Sequence, residues 1–297
     1  MSRIDEALRR AAGDIPLNTD LDRTGDAGSS ERLLDRFPAE GRVPRPVPAP
    51  SRLKPRAPET STRAPKPAEP IIRLTNERLM AGEGANSLPG EQYRHLAAGV
   101  HELQAERGLK TLMVTSAVPQ EGKTLTATNL ALTLSDSYQR RVLLIDADLR
   151  RPGVHQLLGI RNDVGLADVL QGSVGELPIV EISPRLHVLP AGVPPVNPLA
   201  GLVSDRMRTL VEECELKYDW VLIDTPPVGV MAEAQLLARV THGVIFVIRA
   251  GSTPFVAVER AVAELTREAI VGTVLNGAAE SAIPTVGYYH EYADIRK

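Results

Sequence analysis

The run Ser116-Ala117-Val118-Pro119-Gln120-Glu121-Gly122-Lys123-Thr124 constrains this chain more than any other stretch. It stands between an apolar segment, Leu112-Met113-Val114, and a helical pattern, so it reads as a strand-to-helix turn that ends in Gly-Lys-Thr. A triphosphate needs backbone N–H groups converging on its oxygens, a lysine across the terminal phosphates and a hydroxyl for Mg²⁺. Gly122, Lys123 and Thr124 supply these at the start of a helix, whose positive end favours an anion. Ala117 stands where the first glycine of the common G-x-x-x-x-G-K-[ST] spacing would fall. An ordinary helix start carrying Gly-Lys-Thr is the alternative reading of the loop alone.

Two downstream runs favour the phosphate loop. Val142-Leu143-Leu144-Ile145-Asp146-Ala147-Asp148-Leu149-Arg150-Arg151 and Trp220-Val221-Leu222-Ile223-Asp224-Thr225-Pro226-Pro227 are buried-strand patterns that end in carboxylates. In an open parallel sheet the carboxyl ends of the strands share one edge, so Asp146, Asp148 and Asp224 are expected beside the loop. Carboxylates next to a phosphate loop are what Mg²⁺ requires, which gives Thr124, Asp146, Asp148 and Asp224 as the expected metal-side residues. Either run alone would be no more than a strand followed by a turn.

The D-x-D-x-R run after an apolar strand, with a phosphate loop of the P-x-E-G-K-T type, resembles the bacterial tyrosine kinases of capsule and exopolysaccharide loci. Their relatives MinD and ParA carry an extra lysine early in the loop, and here none lies between Ser116 and Gly122. The resemblance runs from about Glu91 to the C-terminus, through Gly165-Leu166-Ala167-Asp168-Val169-Leu170, Pro195-Val196-Asn197-Pro198 and Val274-Leu275-Asn276. It implies an α/β P-loop NTPase, Rossmann-like, with a mostly parallel sheet covered by helices on both faces. It further implies an ATP- and Mg²⁺-dependent protein tyrosine autokinase. Pro119, Gln120, Glu121, Gly122, Lys123, Thr124 and Leu125 would contact nucleotide, and Asn276 matches an adenine-contacting position. Asp146 would accept the tyrosine proton or orient its hydroxyl, because a phenol with a pKa of about 10 is not ionised at neutral pH. Arg150 would stabilise transferring charge or join an interface, with a plain ion pair as the alternative. The family's E-x-x-R-x-x-R, used at a ring interface, is met by Glu91 and Arg94 but not by Ala97. Implied partners are a second copy of the chain, a membrane-embedded polysaccharide co-polymerase of the chain-length-regulating type as activator, and a tyrosine phosphatase. A MinD/ParA-type ATPase switch without kinase activity, and a nucleotide-binding scaffold without turnover, are the competing readings.

The rest of the chain fits one folded domain with extensions. Of its 297 residues, those before about 85 lack a core-forming pattern. Ser2 to Ala12 reads as a short amphipathic helix, with Ile4, Leu8 and Ala11 on one stripe, and prolines recur from Phe37 to Pro70 as in an extended tether. The expected division is a helix at 1–14, a disordered Pro-rich linker at 15–85, a kinase domain at 86–280 and a tyrosine-rich tail at 281–297. A net charge of −3 argues against nucleic acid as a partner. The single cysteine, Cys214, excludes an intrachain disulfide and fits a reducing cytosol. No apolar segment approaches the roughly 18 residues of a membrane span, so the expected location is the cytoplasm, at the inner face of the membrane through a partner.

Strands are expected near 111–117, 141–147, 186–190, 218–224, 243–249 and 270–275. Helices are expected at 89–107, 123–137, 198–216, 231–240 and 254–268. Of the chain's six tyrosines, Tyr288, Tyr289 and Tyr292 fall close to the C-terminus among turn formers, where they read as phosphoacceptors rather than core.

Overall fold

The computed structural model describes residues 74, 76–80, 87–265 and 267–279. The helix expected at 1–14, nearly all of the linker expected at 15–85, and the tail with Tyr288, Tyr289 and Tyr292 lie outside the described residues.

Helix α1 (Leu88–Arg107) opens where Ser87 Oγ accepts the Gly90 N–H at 3.2 Å, with Pro89 in its first turn, and it stops at the left-handed Gly108. Strand β1 (Thr111–Ser116) then leads through the Gly-Lys-Thr turn into α2 (Lys123–Asp136), and β2 (Val142–Asp146) follows. Two short helices come next, α3 (Val154–Leu158) and α4 (Leu166–Gln171). The hairpin strands β3 (Val180–Ser183) and β4 (Leu186–Leu189) precede α5 (Pro198–Leu202) and α6 (Asp205–Lys217). The chain then runs through β5 (Trp220–Asp224), α7 (Ala232–Leu237), β6 (Gly243–Arg249), α8 (Phe255–Leu265) and β7 (Ile270–Asn276).

The seven strands form one sheet in the order β3-β4-β2-β5-β1-β6-β7, parallel throughout except for the antiparallel β3–β4 pair. All six expected strands are present. Strand β3 was not expected: it is a four-residue edge strand, partly exposed, and too short to carry a pattern of its own. The single helix expected at 198–216 is two, because Ser204 takes an extended backbone (φ −74°, ψ 156°) and starts a new helix with Asp205 in its first turn. Helices α3 and α4, also unexpected, are each about one turn long and end at left-handed Gly159 and Gly172.

Alternation along the buried strands builds two cores. Met113, Leu143, Ile145, Val221, Ile223 and Phe246 face one side, against Leu166, Met207, Leu210, Leu237 and Val258 of α4, α6, α7 and α8. Leu112, Val114, Leu144, Trp220, Leu222 and Ile245 face the other, against Ala97, Leu130, Leu134 and Leu158 of α1, α2 and α3. Each fully buried large aliphatic side chain contributes roughly 1.5–3 kcal/mol. With both faces covered, the strand carboxyl ends are the place where polar side chains can gather.

Candidate active site

Register brings the acids together. Asp146 at the end of β2 stands directly opposite Asp224 at the end of β5, and Asp224 in turn stands opposite Val114 of β1, two residues before the turn into α2. From the first residue of α2, Lys123 Nζ reaches Asp148 Oδ2 at 2.8 Å and Asp224 Oδ1 at 3.9 Å, with the Thr124 hydroxyl 3.2 Å away. The structure therefore assembles Lys123, Thr124, Asp146, Asp148 and Asp224 at one strand edge, as the spacing predicts.

The three carboxylates are held differently. Asp146 is fully buried and organises the loop after β2: its Oδ2 accepts the N–H groups of Gly153 and Val154 at 3.0 Å each, and its Oδ1 accepts that of Asp148 at a longer 3.3 Å. Asp148 accepts the Arg151 N–H at 3.1 Å on the oxygen turned away from Lys123. Asp224 is fully buried, and neither of its oxygens accepts a hydrogen bond from the described residues. Burial, reinforced by the charge of Asp224, raises the Asp146 carboxyl to about 8. Burial likewise raises Asp224, to about 6, against the opposing pull of the Lys123 ammonium and the Thr124 hydroxyl. For Lys123, burial works against the charge, but Asp224 and Asp148 outweigh it and hold the ammonium above its ordinary range.

The loop itself is clamped from the far half of the sheet. Glu121 is almost wholly buried (1% exposed), and its carboxylate accepts the Val118 N–H at 2.7 Å, the Arg249 N–H at 3.3 Å and the Thr253 hydroxyl. The Arg249 guanidinium donates to the Gln120 carbonyl at 3.1 Å, which holds Gln120 at a left-handed φ of 66°. Asn276, at the end of β7, donates from Nδ2 to the Glu121 carbonyl at 2.8 Å. Gly122 is required there: it has a φ of 94°, and a Cβ would come within 2.0 Å of Asn276 Nδ2. Gly122 provides no side-chain cap, so the N–H groups of the first turn of α2, Lys123 to Leu125, are left for an anion.

The Glu121 carboxylate and the Asn276 Nδ2 group, in residues expected to contact nucleotide, also shape the loop. Arg150 makes an ion pair with Glu233 of α7, through Nε at 2.8 Å and Nη2 at 2.7 Å. Glu91 and Arg94 pair with each other on α1, while Ala97 has no exposed surface and packs in the core. Sequence reasoning did not reach Glu233, Arg249 or Thr253. The only available signal was a charged residue inside each of two apolar stretches, and ordinary surface positions give the same signal.

Whether these residues suit Mg²⁺ can be judged from Asp224. Its oxygens are buried and accept no hydrogen bond from the described residues, and with the nearby Thr124 hydroxyl they are oxygen donors of the kind Mg²⁺ takes. Among the described residues no group of three His, Cys, Asp or Glu could hold a metal ion by itself. Mg²⁺ in nucleotide sites ordinarily keeps several waters and takes one or two protein ligands together with substrate phosphates.

Sheet order, strand-end carboxylates and a Gly-Lys-Thr helix start together define a P-loop nucleotide-binding protein. No family model matches the chain. The tyrosine-protein kinase YwqD of Bacillus subtilis is 38% identical over 207 residues, covering 68% of this chain and 87% of that protein. The tyrosine-protein kinase wzc of Salmonella typhimurium is 31% identical over 227 residues, covering 75% of this chain but only 31% of the longer relative. Among solved structures, the kinase domain of the Escherichia coli tyrosine kinase ETK superposes with a TM-score of 0.62 at 32% identity, covering 67% of this chain and 81% of that one. The chimerical protein CapA2B2 gives a TM-score of 0.63 at 26% identity, covering 69% and 93%. The chain belongs to the bacterial tyrosine-protein kinases. Among the described residues no helix is long and apolar enough to cross a membrane.

Proposed function

We propose that this kinase transfers the γ-phosphate of ATP to tyrosines of its own C-terminal tail, Tyr288, Tyr289 and Tyr292, and thereby regulates the polymerisation and export of an exopolysaccharide or capsule. The observation that carries the reading is the convergence of Lys123 and the N-terminus of α2 on Asp148 and Asp224, with Asp146 in register beside Asp224. Phosphoryl transfer asks a protein mainly for positioning and charge neutralisation. Lys123 and the first-turn N–H groups would hold the β- and γ-phosphates. Thr124 and Asp224, with Asp148 directly or through water, would hold Mg²⁺, which when bound neutralises charge on the phosphates.

Asp146 is the proposed acceptor for the phenol proton. The long 3.3 Å bond at its Oδ1 leaves that oxygen the freer of the two to take a proton. The family membership extends the proposal to a membrane-embedded chain-length regulator as activator, at the inner face of the cell membrane. A second copy of the chain and a tyrosine phosphatase complete the proposed partners.

The test is intact-mass analysis of purified protein incubated with ATP and Mg²⁺, before and after phosphatase treatment. Successive additions of phosphate that phosphatase removes, and that map to the three tail tyrosines, are expected. ATP consumption without added mass would overturn the autokinase reading.

A further inference from the structure

We propose that Glu233 is a positioning residue for phosphoryl transfer, fixing the Arg150 guanidinium on a frame that is itself bolted to the phosphate loop. The inference rests on the kinase reading above. Glu233 sits in the first turn of α7 and is 3% exposed, whereas the Arg150 side chain is 46% exposed. A buried carboxylate needs a partner, and Arg150 is the ion-pair partner found for it among the described residues. Both contacts fall on one oxygen, Glu233 Oε1, and use only Nε and one Nη2 hydrogen of the guanidinium. The remaining N–H donors of Arg150 stay at the open side of the fork, two residues along the chain from Asp148.

Glu233 itself does not float. The loop between β5 and α7 is tied to the root of the phosphate loop: Val228 N donates to Ser116 O at 2.9 Å, and the Thr115 hydroxyl donates to Pro226 O at 2.9 Å. Gly229 lies so close to Ala117 that a Cβ would meet its carbonyl oxygen at 2.7 Å. The position of Arg150 is therefore set by the same backbone that sets Lys123. An exposed arginine left to itself samples many rotamers, and ordering it would fall to the transition state. Held by Glu233, it meets developing phosphoryl charge without reorganising.

The experiment is a double-mutant cycle of Glu233→Gln, Arg150→Ala and the pair, in the full chain with ATP and Mg²⁺, reading both phosphotyrosine formation and ADP release, with melting temperature alongside. Glu233→Gln is expected to lower kcat roughly ten-fold, with the KM for ATP changed less than about two-fold. Glu233→Asp should restore most of that loss, and the double variant should be no slower than Arg150→Ala alone. Additive losses, a wild-type kcat in Glu233→Gln, or an effect confined to melting temperature would each overturn the assignment. If Glu233→Gln does not fold, Arg150→Lys retains the charge without the two-point fork. It is expected to show the same kcat loss at unchanged KM, and a wild-type kcat there would overturn the proposal. Should the wild type release ADP without forming phosphotyrosine, the acceptor reading falls, while the cycle read through ADP release still decides the role of Glu233.

Discussion

Asp224 ends β5 with both oxygens buried and neither accepting a hydrogen bond from the described residues, and Asp146 stands beside it in register. Two buried carboxylates whose pKa values lie above the ordinary range bind more protons in the folded chain than in the unfolded one. Stability therefore falls as pH rises from the ordinary carboxylate range, near 4, up to about 8. Lys123, raised above an already high value, adds stability that is lost only at much more alkaline pH, so it does not mask the trend. Without nucleotide and Mg²⁺, the protein is expected to melt at a higher temperature at pH 6 than at pH 8.5. Asp224→Asn should flatten that dependence and raise the melting temperature at the alkaline end. Thermal scans across the range decide it, and an Asp224→Asn variant with the wild-type slope would show that the pair does not cause the trend. The same geometry bears on Lys123→Met. Phosphotyrosine should disappear because the terminal phosphates lose their counter-charge, and the apo protein should lose stability at neutral pH because Asp148 loses its 2.8 Å partner. Continued incorporation of phosphate by a folded Lys123→Met chain would remove the site from consideration.

At the scale of elements, the phosphate loop is held less by its own sequence than by β6, β7 and the turn into α8. Glu121 is the hub, facing the Val118 N–H, the Arg249 N–H and the Thr253 hydroxyl. Glu121→Gln keeps the shape but turns one oxygen into a donor among donors. It should cost about 1–3 kcal/mol of stability and raise the KM for ATP, with kcat falling less. Thr253→Val, which removes one partner, should cost about 1 kcal/mol with the same sign in KM. Denaturant melts and nucleotide titration read both, and a Glu121→Gln variant with unaltered stability would show the clamp to be incidental. This clamp marks where legibility ends. The loop, the six parallel strands and the clustering of Asp146, Asp148 and Asp224 follow from local patterns plus one topological fact, that parallel strands end on one edge. Arg249 and Thr253, which hold Glu121, and Glu233, which holds Arg150, lie far along the chain, and no period or motif joins them. Strand β3 and the break at Ser204 escaped for the opposite reason, since a few residues of ambiguous pattern are settled by what packs on them.

At the scale of the whole molecule, the proposed transfer requires the tail tyrosines to reach the strand-end edge. Strand β7 ends at Asn276, whose side chain is bonded to the Glu121 carbonyl, so the tail is rooted on the phosphate loop. From Ala279 to Tyr288 the chain spans at most about 30 Å. From β7 to β2 the sheet crosses β6, β1 and β5, or about 19 Å at the usual strand spacing. Length thus permits transfer within one chain or to a neighbour. Each phosphate adds roughly −1.5 to −2 charges, so a tail that docks while neutral meets Asp146, Asp148 and the nucleotide phosphates with like charge once modified. An oligomer built on tail docking should therefore loosen on phosphorylation, and the modified form should depend more on ionic strength than the unmodified one. Tyr218 offers no alternative acceptor, being 9% exposed with its hydroxyl 2.8 Å from His187 Nδ1. Changing Tyr288, Tyr289 and Tyr292 together to Phe should abolish most phosphotyrosine and leave an assembly whose mass no longer falls when ATP is added. Heavy phosphorylation persisting on Tyr93 or Tyr138 would refute the acceptor assignment, and equal masses for modified and unmodified wild type would refute the switch.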